Sequence, residues 1–334
     1  MKNKYIVTIL GAGNMGTAIA QIVGGNGHEV RIWNYEQGQE PLEQIAQFQE
    51  NKKYLPGIIL SKNIRAEKDL AVAVQGAQVV FFVVPSAAME SIIKRAAEFL
   101  PCGVVCVDAS KGLDEKDLGL IPNLITAHLP ECLHGQVASI SGPAIAGDMA
   151  RGGFTAMNVA SGDKQSIKIV KAVMENSHLK LLKTTDVVGV EVAGSFKNVY
   201  AIAMGLCDGL KMEMNTKAAL LVVALKEIGK LVKKMGGKSA TVYDLAGLGD
   251  LVGTGLCAAS RNRRFGEYLA QGRSKDEAVA EVGQVVEGIN ASQALQQLGE
   301  KYKIKMPFAE MVQAVVGKGE DPAKALNRFL KKLK

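Results

Sequence analysis

Apolar residues in the first half of the chain occur in short runs separated by polar segments. These runs are rich in branched and aromatic residues and predict buried strands at residues 5–10, 28–33, 78–84, 103–108, 138–141, 154–160 and 179–182. Helical patterns lie between them, and this alternation predicts a doubly wound, mainly parallel α/β sheet. Ligands of such sheets bind beyond the carboxyl ends of the strands. Pro85, Lys111 and Gly142 each follow one of the runs and are expected at that edge.

Helical periodicity replaces the short runs after residue 185. The helical patterns cover residues 190–207, 217–235, 276–282, 289–302, 307–316 and 322–333, and no clear strand run follows them. A chain of 334 residues is long for a single core. We therefore predict two domains, with an α/β domain at residues 1–185 and an all-α domain at residues 186–334.

The turn after the first predicted strand carries the motif G-A-G-N-M-G at residues 11–16. A strand, this motif, a helix and a second strand follow in the order that a dinucleotide-binding fingerprint requires. Gly11 permits the tight turn, Gly13 lets the backbone approach a pyrophosphate, and Gly16 lets helix and strand pack closely. The bare motif also occurs by chance in loops, but this context favours a Rossmann-like dinucleotide-binding domain.

The choice between NAD and NADP is left open by the second strand. An acidic residue after this strand is typical of NAD enzymes, and an arginine is typical of NADP enzymes. Glu36 has the required charge but lies late, and Arg31 is equally compatible with a solvated strand residue.

Residues 190–210 are almost wholly apolar and predict a buried helix, yet Lys197 lies in the middle of it. A buried ammonium needs a partner, a ligand or a water-filled cleft. The alternative is a lysine that extends its charged end to the surface. Asp250, in a glycine-rich apolar loop at residues 245–255, is the best-placed acid, although a helix cap or turn residue is a serious alternative.

Two basic positions are candidates for binding an anion. Arg261 and Asn262 form a favourable pair for a phosphate, whereas the alternatives are a solvated basic face or a nucleic-acid patch. Lys111 follows a strand end, although an ordinary surface lysine is also compatible with its position. If residues 260–264 are helical, their arginines point in different directions, so one or two at most reach a single ligand.

Composition narrows the classes of partner and location. The net charge of +7 is spread along the chain and gives only weak support to nucleic-acid binding. The cysteines, five in number, show no metal-ligand spacing and are expected to be free thiols in a reducing compartment. The first apolar run is too short for a signal peptide, and no uninterrupted apolar segment reaches the length of a membrane span. We therefore expect a cytoplasmic protein without a metal site or a membrane span.

The motifs together closely resemble the NAD(P)-dependent glycerol-3-phosphate dehydrogenases of the bacterial and archaeal type. The resemblance extends over nearly the whole chain. It rests on G-A-G-N-M-G at 11–16, N-x-x-Y-L-P-G at 51–57, V-P-S at 84–86, K-G-L at 111–113, S-G-P-A-x-A at 141–146, E-V-A-G-S-F-K-N-V at 191–199, G-L-G-D-L at 247–251, S-R-N-R-R-F-G at 260–266 and Q-V-V-E-G at 284–288.

The resemblance implies interconversion of dihydroxyacetone phosphate and sn-glycerol 3-phosphate with NAD(P)H, feeding glycerophospholipid synthesis. It implies Lys197 as the catalytic acid/base. The implied substrate-binding residues are Lys111, Gly142, Ala144, Lys197, Asp250, Ser260, Arg261 and Asn262. The implied cofactor-binding residues are Gly11, Gly13, Asn14, Met15, Gly16, Tyr35, Lys111, Ala146, Arg261, Val285 and Glu287.

The chain departs from the family pattern at residues 147–148 and 222–224 and at two predicted ligand-binding positions. Ala144 replaces a serine that often contacts substrate, although its backbone remains able to do so. Tyr35 replaces a basic residue that often supports the NADP phosphate, which puts NADP preference in doubt.

Three other functions compete with this interpretation. A β-hydroxyacid dehydrogenase has a similar lysine but an asparagine four residues later, where this chain has Ala201. A non-catalytic NAD(P) sensor would not need Lys197 and Asp250 together, and a nucleic-acid-binding Rossmann protein would bind with steep salt dependence. The expected ligand is a small phosphorylated three-carbon substrate, and the apolar helices permit a homodimer.

Overall fold

The computed structural model describes residues 3–35, 38–114 and 116–333. The chain forms two units, which divide after Val187. The sequence pattern placed this division after residue 185, and the functional roles assigned to the two parts remain predictions.

The first unit is built on one eight-stranded sheet. Its strands are β1 (Ile6–Leu10), β2 (Glu29–Trp33), β3 (Ile64–Ala66), β4 (Val79–Phe82), β5 (Val105–Asp108), β6 (Val137–Ser141), β7 (Thr155–Ala160) and β8 (Leu179–Thr184). They lie in the order β3-β2-β1-β4-β5-β6-β7-β8, and every neighbouring pair is parallel except β6 with β7. The predicted α/β doubly wound sheet is confirmed. The sequence missed β3, because a strand of three residues leaves too short a pattern.

Helices cover both faces of the sheet. They are α1 (Asn14–Gly25), α2 (Glu40–Phe48), α3 (Leu70–Val74), α4 (Ser86–Ala97), α5 (Ile121–His128), α6 (Ala146–Ala150) and α7 (Lys164–Met174). Alternate side chains of each strand point to opposite faces. Phe81 therefore packs in the core layer that includes α1, α2, α6 and α7, whereas Phe82 packs in the layer that includes α3, α4 and α5. This two-sided burial explains why the strands are continuous apolar runs.

The turn between β1 and α1 requires glycine at two positions. Gly11 has a φ of +124°, and a Cβ there would overlap the carbonyl oxygen of Val83. A Cβ at Gly16 would overlap the carbonyl oxygen of Gly11. The chain can therefore turn sharply from the strand into the helix only with these two glycines. The strand order reverses beside β1, which is the switch point where such sheets bind ligands.

The second unit contains helices, and the part of the chain that the structure describes there has no strand. The helices are α8 (Val187–Gly209), α9 (Met214–Lys234), α10 (Asp250–Gly255), α11 (Arg261–Ala270), α12 (Lys275–Val282), α13 (Glu287–Lys301), α14 (Pro307–Lys318) and α15 (Pro322–Lys331). The predicted all-α character is confirmed. Among the described residues, α8 alone is long and apolar enough to cross a membrane, but 89% of its most apolar 18-residue stretch is buried inside the protein.

Two expectations from the sequence are wrong. The predicted glycine-rich loop is helical: residues Leu245–Gly249 form a π-helical turn that leads directly into α10. The small residues there allow a close approach, since a Cβ at Gly247 would overlap the carbonyl oxygen of Val242. The five cysteines are not all free thiols.

Cys102 and Cys132 form a disulfide with their Cα atoms 5.9 Å apart. Cys102 precedes β5 and Cys132 precedes β6, and these strands are parallel neighbours. Strand pairing thus brings together two residues that are 30 apart in sequence, a proximity that their spacing alone does not reveal. Cys106, Cys207 and Cys257 are free.

Candidate functional site

The carboxyl ends of β1, β2, β4, β5 and β6 meet at one edge of the sheet. The segments that follow them carry the residues of the first unit that were predicted to bind ligands. Those residues are Gly11, Gly13, Asn14, Met15, Gly16, Tyr35, Lys111, Gly142, Ala144 and Ala146. Gly13 caps the N-terminus of α1, and a Cβ there would meet nothing within 4 Å, so its backbone is open to a ligand. The free N–H groups of the first turn of α1 suit a pyrophosphate.

Arg31 is not placed to select NADP. Its Nη1 donates hydrogen bonds to the carbonyl oxygens of Val72, at 2.9 Å, and Gln75, at 2.6 Å. Its Nη2 lies 3.2 Å from the carboxylate of Glu29. The guanidinium therefore ties β2 to the end of α3. Glu36, the other residue considered for cofactor choice, lies outside the described residues.

In the second unit, Lys197 is buried in the middle of α8 with 4% of its surface exposed. Its Nζ donates hydrogen bonds to Asp250 Oδ1 at 2.5 Å and to Thr254 Oγ1 at 2.6 Å. A lysine that extends to the surface would not be enclosed in this way, so this structure excludes that alternative. The ammonium is instead held by a buried carboxylate and a hydroxyl.

Asp250 and Thr254 are presented by one turn of helix. Asp250 begins α10, and Thr254 lies four residues later on the same face. The Thr254 hydroxyl also donates to Asp250 Oδ1 at 3.1 Å. The sequence interpretation missed Thr254. The signal was its spacing of four residues from Asp250, which carries no information until residues 250–255 are known to be helical.

The N-terminus of α11 carries the predicted phosphate-binding residues. Ser260 is the N-cap and its hydroxyl accepts a hydrogen bond from the backbone N–H of Arg263. The arginines diverge as expected for a helix, since the Arg263 side chain pairs with Asp208 at 2.6 Å. The Arg261 side chain makes no hydrogen bond or ion pair with any residue in the described ranges. It therefore remains available to an anion at the helix N-terminus, where an anion is also favoured by the helix dipole.

The first turn of α13 joins these elements. Glu287 Oε2 accepts a hydrogen bond from Asn198 Nδ2 at 3.0 Å, and Asn198 is the neighbour of Lys197 on α8. The next residue, Gly288, donates its backbone N–H to Asn262 Oδ1 at 2.9 Å. Val285, just before this turn, is 73% exposed. Hydrogen bonds thus connect α8, which carries Lys197, with the N-terminus of α11 and the start of α13.

A second buried carboxylate in this unit caps a helix. Glu227 accepts hydrogen bonds from the backbone N–H groups of Phe308 and Ala309, at the start of α14, and from the Tyr200 hydroxyl. Burial raises the pKa of Glu227 and the pKa of Tyr200. Within residues 3–35, 38–114 and 116–333, no group of three or more potential ligands is arranged to hold a metal.

Two family models match successive parts of the chain. A family model described as the N-terminus of NAD-dependent glycerol-3-phosphate dehydrogenase matches residues 6–167, and the model of its C-terminus matches residues 186–327. The chain is 35% identical over 328 residues to a glycerol-3-phosphate dehydrogenase (NAD(P)+) of Bacillus velezensis, covering 98% of this chain and 94% of that protein.

Two further relatives agree with these matches. A second enzyme of that name, from Lactobacillus delbrueckii, is 36% identical over 327 residues, which cover 97% of this chain and 96% of that protein. The crystal structure of glycerol-3-phosphate dehydrogenase from Coxiella burnetii superimposes with a TM-score of 0.91 at 35% identity, covering 98% of this chain and 99% of that one.

Proposed function

The chain belongs to the NAD-dependent glycerol-3-phosphate dehydrogenase family, and from this premise we propose which residues carry out its reaction. The enzyme interconverts dihydroxyacetone phosphate and sn-glycerol 3-phosphate with NAD or NADP. The observation that carries the proposal is the enclosed ammonium of Lys197, held by Asp250 and Thr254. A non-catalytic NAD(P) sensor has no need of such a group.

Lys197 is the proposed acid/base. The bound nicotinamide supplies or accepts the hydride. Negative charge develops on the ketone oxygen during reduction, and the ammonium of Lys197 donates the proton that neutralises it. In the oxidative direction the same nitrogen accepts the proton of the hydroxyl. Asp250 and Thr254 hold Nζ in one position, which lowers the cost of orienting it during the reaction.

The substrate phosphate is proposed to bind at the N-terminus of α11. Arg261 offers a guanidinium that suits two phosphate oxygens, and the helix terminus adds backbone N–H donors. Ser260 and Asn262 complete this set. Lys111, Gly142 and Ala144, at the carboxyl edge of the sheet, keep the substrate-binding roles that the family resemblance implies, with Lys111 adding positive charge.

The dinucleotide is proposed to bind at the glycine turn and the N-terminus of α1. Gly11, Gly13 and Gly16 shape that turn, and Asn14 and Met15 begin the helix. The other residues proposed to contact the cofactor are Tyr35, Lys111, Ala146, Arg261, Val285 and Glu287. A cytoplasmic location, a homodimer and a supply of sn-glycerol 3-phosphate to glycerophospholipid synthesis are further proposals from the family resemblance.

The test is an absorbance assay of NADH and NADPH oxidation with dihydroxyacetone phosphate. Lys197→Ala should abolish turnover while the cofactor still binds, and near-normal kcat would refute its role. Arg261→Ala should raise KM for dihydroxyacetone phosphate by about tenfold or more, since a charged hydrogen-bond donor to phosphate is lost. An unchanged KM would remove Arg261 from the phosphate site.

A further inference from the structure

The side chain of Asn262 is buried but only half engaged. Its exposed fraction is 5%, and Oδ1 accepts the Gly288 N–H at 2.9 Å. Its Nδ2 makes no hydrogen bond with any residue that the structure describes, and this atom is not fully enclosed by the protein. The two hydrogens of Nδ2 therefore keep an opening to solvent. A donor on a largely buried side chain that lacks a protein partner needs an acceptor from water or from a ligand.

We propose that the first turn of α13 is a positioning element for the phosphate site, in which the Gly288 N–H fixes the Asn262 amide so that Nδ2 is presented to the substrate. An amide side chain can turn over and exchange its oxygen for its nitrogen. The backbone N–H of Gly288 is a donor only, so it selects the orientation in which Oδ1 faces α13. The donor end is then left for an oxyanion. This role deepens the proposed function and rests on it.

The space around Gly288 supports the same role. A Cβ there would lie 2.8 Å from the Asn198 carbonyl oxygen, 2.8 Å from Asn262 Oδ1 and 2.8 Å from Ile202 Cδ1. Real Cβ atoms do not approach other atoms so closely, so a side chain at this position would displace one of its neighbours. Only glycine lets α13 begin against both α8 and α11. The same turn holds Asn198 through Glu287, so one short segment orients both amides.

Substitution of Asn262 by Asp distinguishes the acceptor role of the amide from its donor role. The aspartate keeps an acceptor for the Gly288 N–H but replaces the Nδ2 donor with a negatively charged oxygen. We expect Asn262→Asp to raise KM for dihydroxyacetone phosphate about a hundredfold or more, because a donor is replaced by a repelling charge. The expected change in kcat is smaller, and the Kd of NADH should stay at its wild-type value.

Asn262→Leu is the matched comparison, because it removes both the acceptor and the donor. The Gly288 N–H then loses its partner, so Tm should fall for Leu but stay near the wild-type value for Asp. If Asp lowers Tm as far as Leu does, the Gly288 bond does not hold the side chain and the proposal is wrong. An unchanged KM in Asn262→Asp would also overturn it.

Gly288→Ala tests the close contact directly. It should raise KM for dihydroxyacetone phosphate, because the new Cβ displaces the Asn262 amide. Gly299→Ala is the control in the same helix, where the nearest atom to an added Cβ is the Ile304 carbonyl oxygen at 3.3 Å. Wild-type KM in Gly288→Ala would show that this contact does not set the amide position, which would overturn the proposal.

Binding of inorganic phosphate, measured by calorimetry, separates this inference from the proposed reaction, since it needs no turnover. The wild-type protein should bind phosphate and Asn262→Asp should not. Equal binding by both proteins overturns the role of Asn262 even if the wild type oxidises NADH with dihydroxyacetone phosphate. Loss of phosphate binding in the variant, together with an inactive wild type, would contradict the reaction but retain the anion site.

Discussion

A double-mutant cycle on Lys197 and Asp250 tests whether the buried ion pair is a single energetic unit. The two atoms, Nζ and Oδ1, are 2.5 Å apart, and the side chains are 6% and 3% exposed. At an effective dielectric constant of about 20, Coulomb's law gives an attraction of about 7 kcal/mol at this distance. Desolvation of both charges offsets much of that attraction.

The expected cost of removing one partner is about 3–5 kcal/mol, because the other charge stays buried after its oppositely charged partner is lost. Thr254 still contacts whichever partner remains, which favours the lower end of this range. Lys197→Met and Asp250→Asn should therefore each cost about 3 kcal/mol. The double variant should cost no more than either single variant, which gives a coupling energy of about 3 kcal/mol.

The assay is urea unfolding followed by far-ultraviolet circular dichroism. The single tryptophan, Trp33, lies in β2 of the first unit, so its fluorescence would not report on the second unit directly. The pair Lys217–Asp208 is a comparison in the same unit, at 2.6 Å with side chains 13% and 15% exposed. Its coupling energy should be smaller, because it is more exposed and Arg263 also pairs with Asp208.

The kinetic arm of the same experiment concerns turnover. Asp250→Asn should lower kcat by about a hundredfold or more, a typical contribution of a positioned acid/base group. If the free-energy changes for Lys197 and Asp250 add within about 0.5 kcal/mol, the two residues do not act as a unit and the reasoning is refuted.

Three further predictions follow from single contacts. Thr254→Val removes one acceptor from Lys197 at nearly constant shape and should lower kcat about tenfold with the Kd of NADH unchanged; wild-type kcat would contradict this. Cys132→Ser removes the disulfide to Cys102, which closes a loop of 30 residues, and should lower the free energy of unfolding by about 3–4 kcal/mol without reductant. Dithiothreitol should remove the difference between variant and wild type. Equal stability of the two proteins without reductant would disprove this prediction. Asp163→Ala should cost about 1 kcal/mol near neutral pH through loss of the α7 cap. Hydrogen bonds from the Ser166 hydroxyl and then its N–H lower the pKa of Asp163, so this stability is present above the ordinary aspartate pKa and is lost as the pH falls through the lowered value; a difference that persists in acid would refute it.

The general architecture could be predicted from the sequence because it depends on the local pattern of apolar residues. A parallel strand covered on both faces must be apolar at every position, so β1, β4 and β5 stand out as continuous apolar runs between polar segments. The glycine turn could be predicted for a similar reason, because backbone atoms lie so close to Gly11 and Gly16 that only glycine fits at these positions. Lys197 was a candidate because a charge is conspicuous in an apolar helix.

Other features depended on residues that are distant in sequence. Thr254 could be recognised as a contact of Lys197 only from the structure, because the helical geometry of residues 250–255 places it beside Asp250. The disulfide depended on the pairing of β5 with β6.

The sequence by itself therefore determined the fold class, the glycine turn after β1 and the candidate lysine, because these depend on the periodicity of apolar residues and on the backbone demands of single positions. Tertiary structure decided what holds that lysine and how Asn262 is oriented. Hydrogen bonds between α8, α10, α11 and α13 hold these side chains, and their distances and directions arise only when the helices pack.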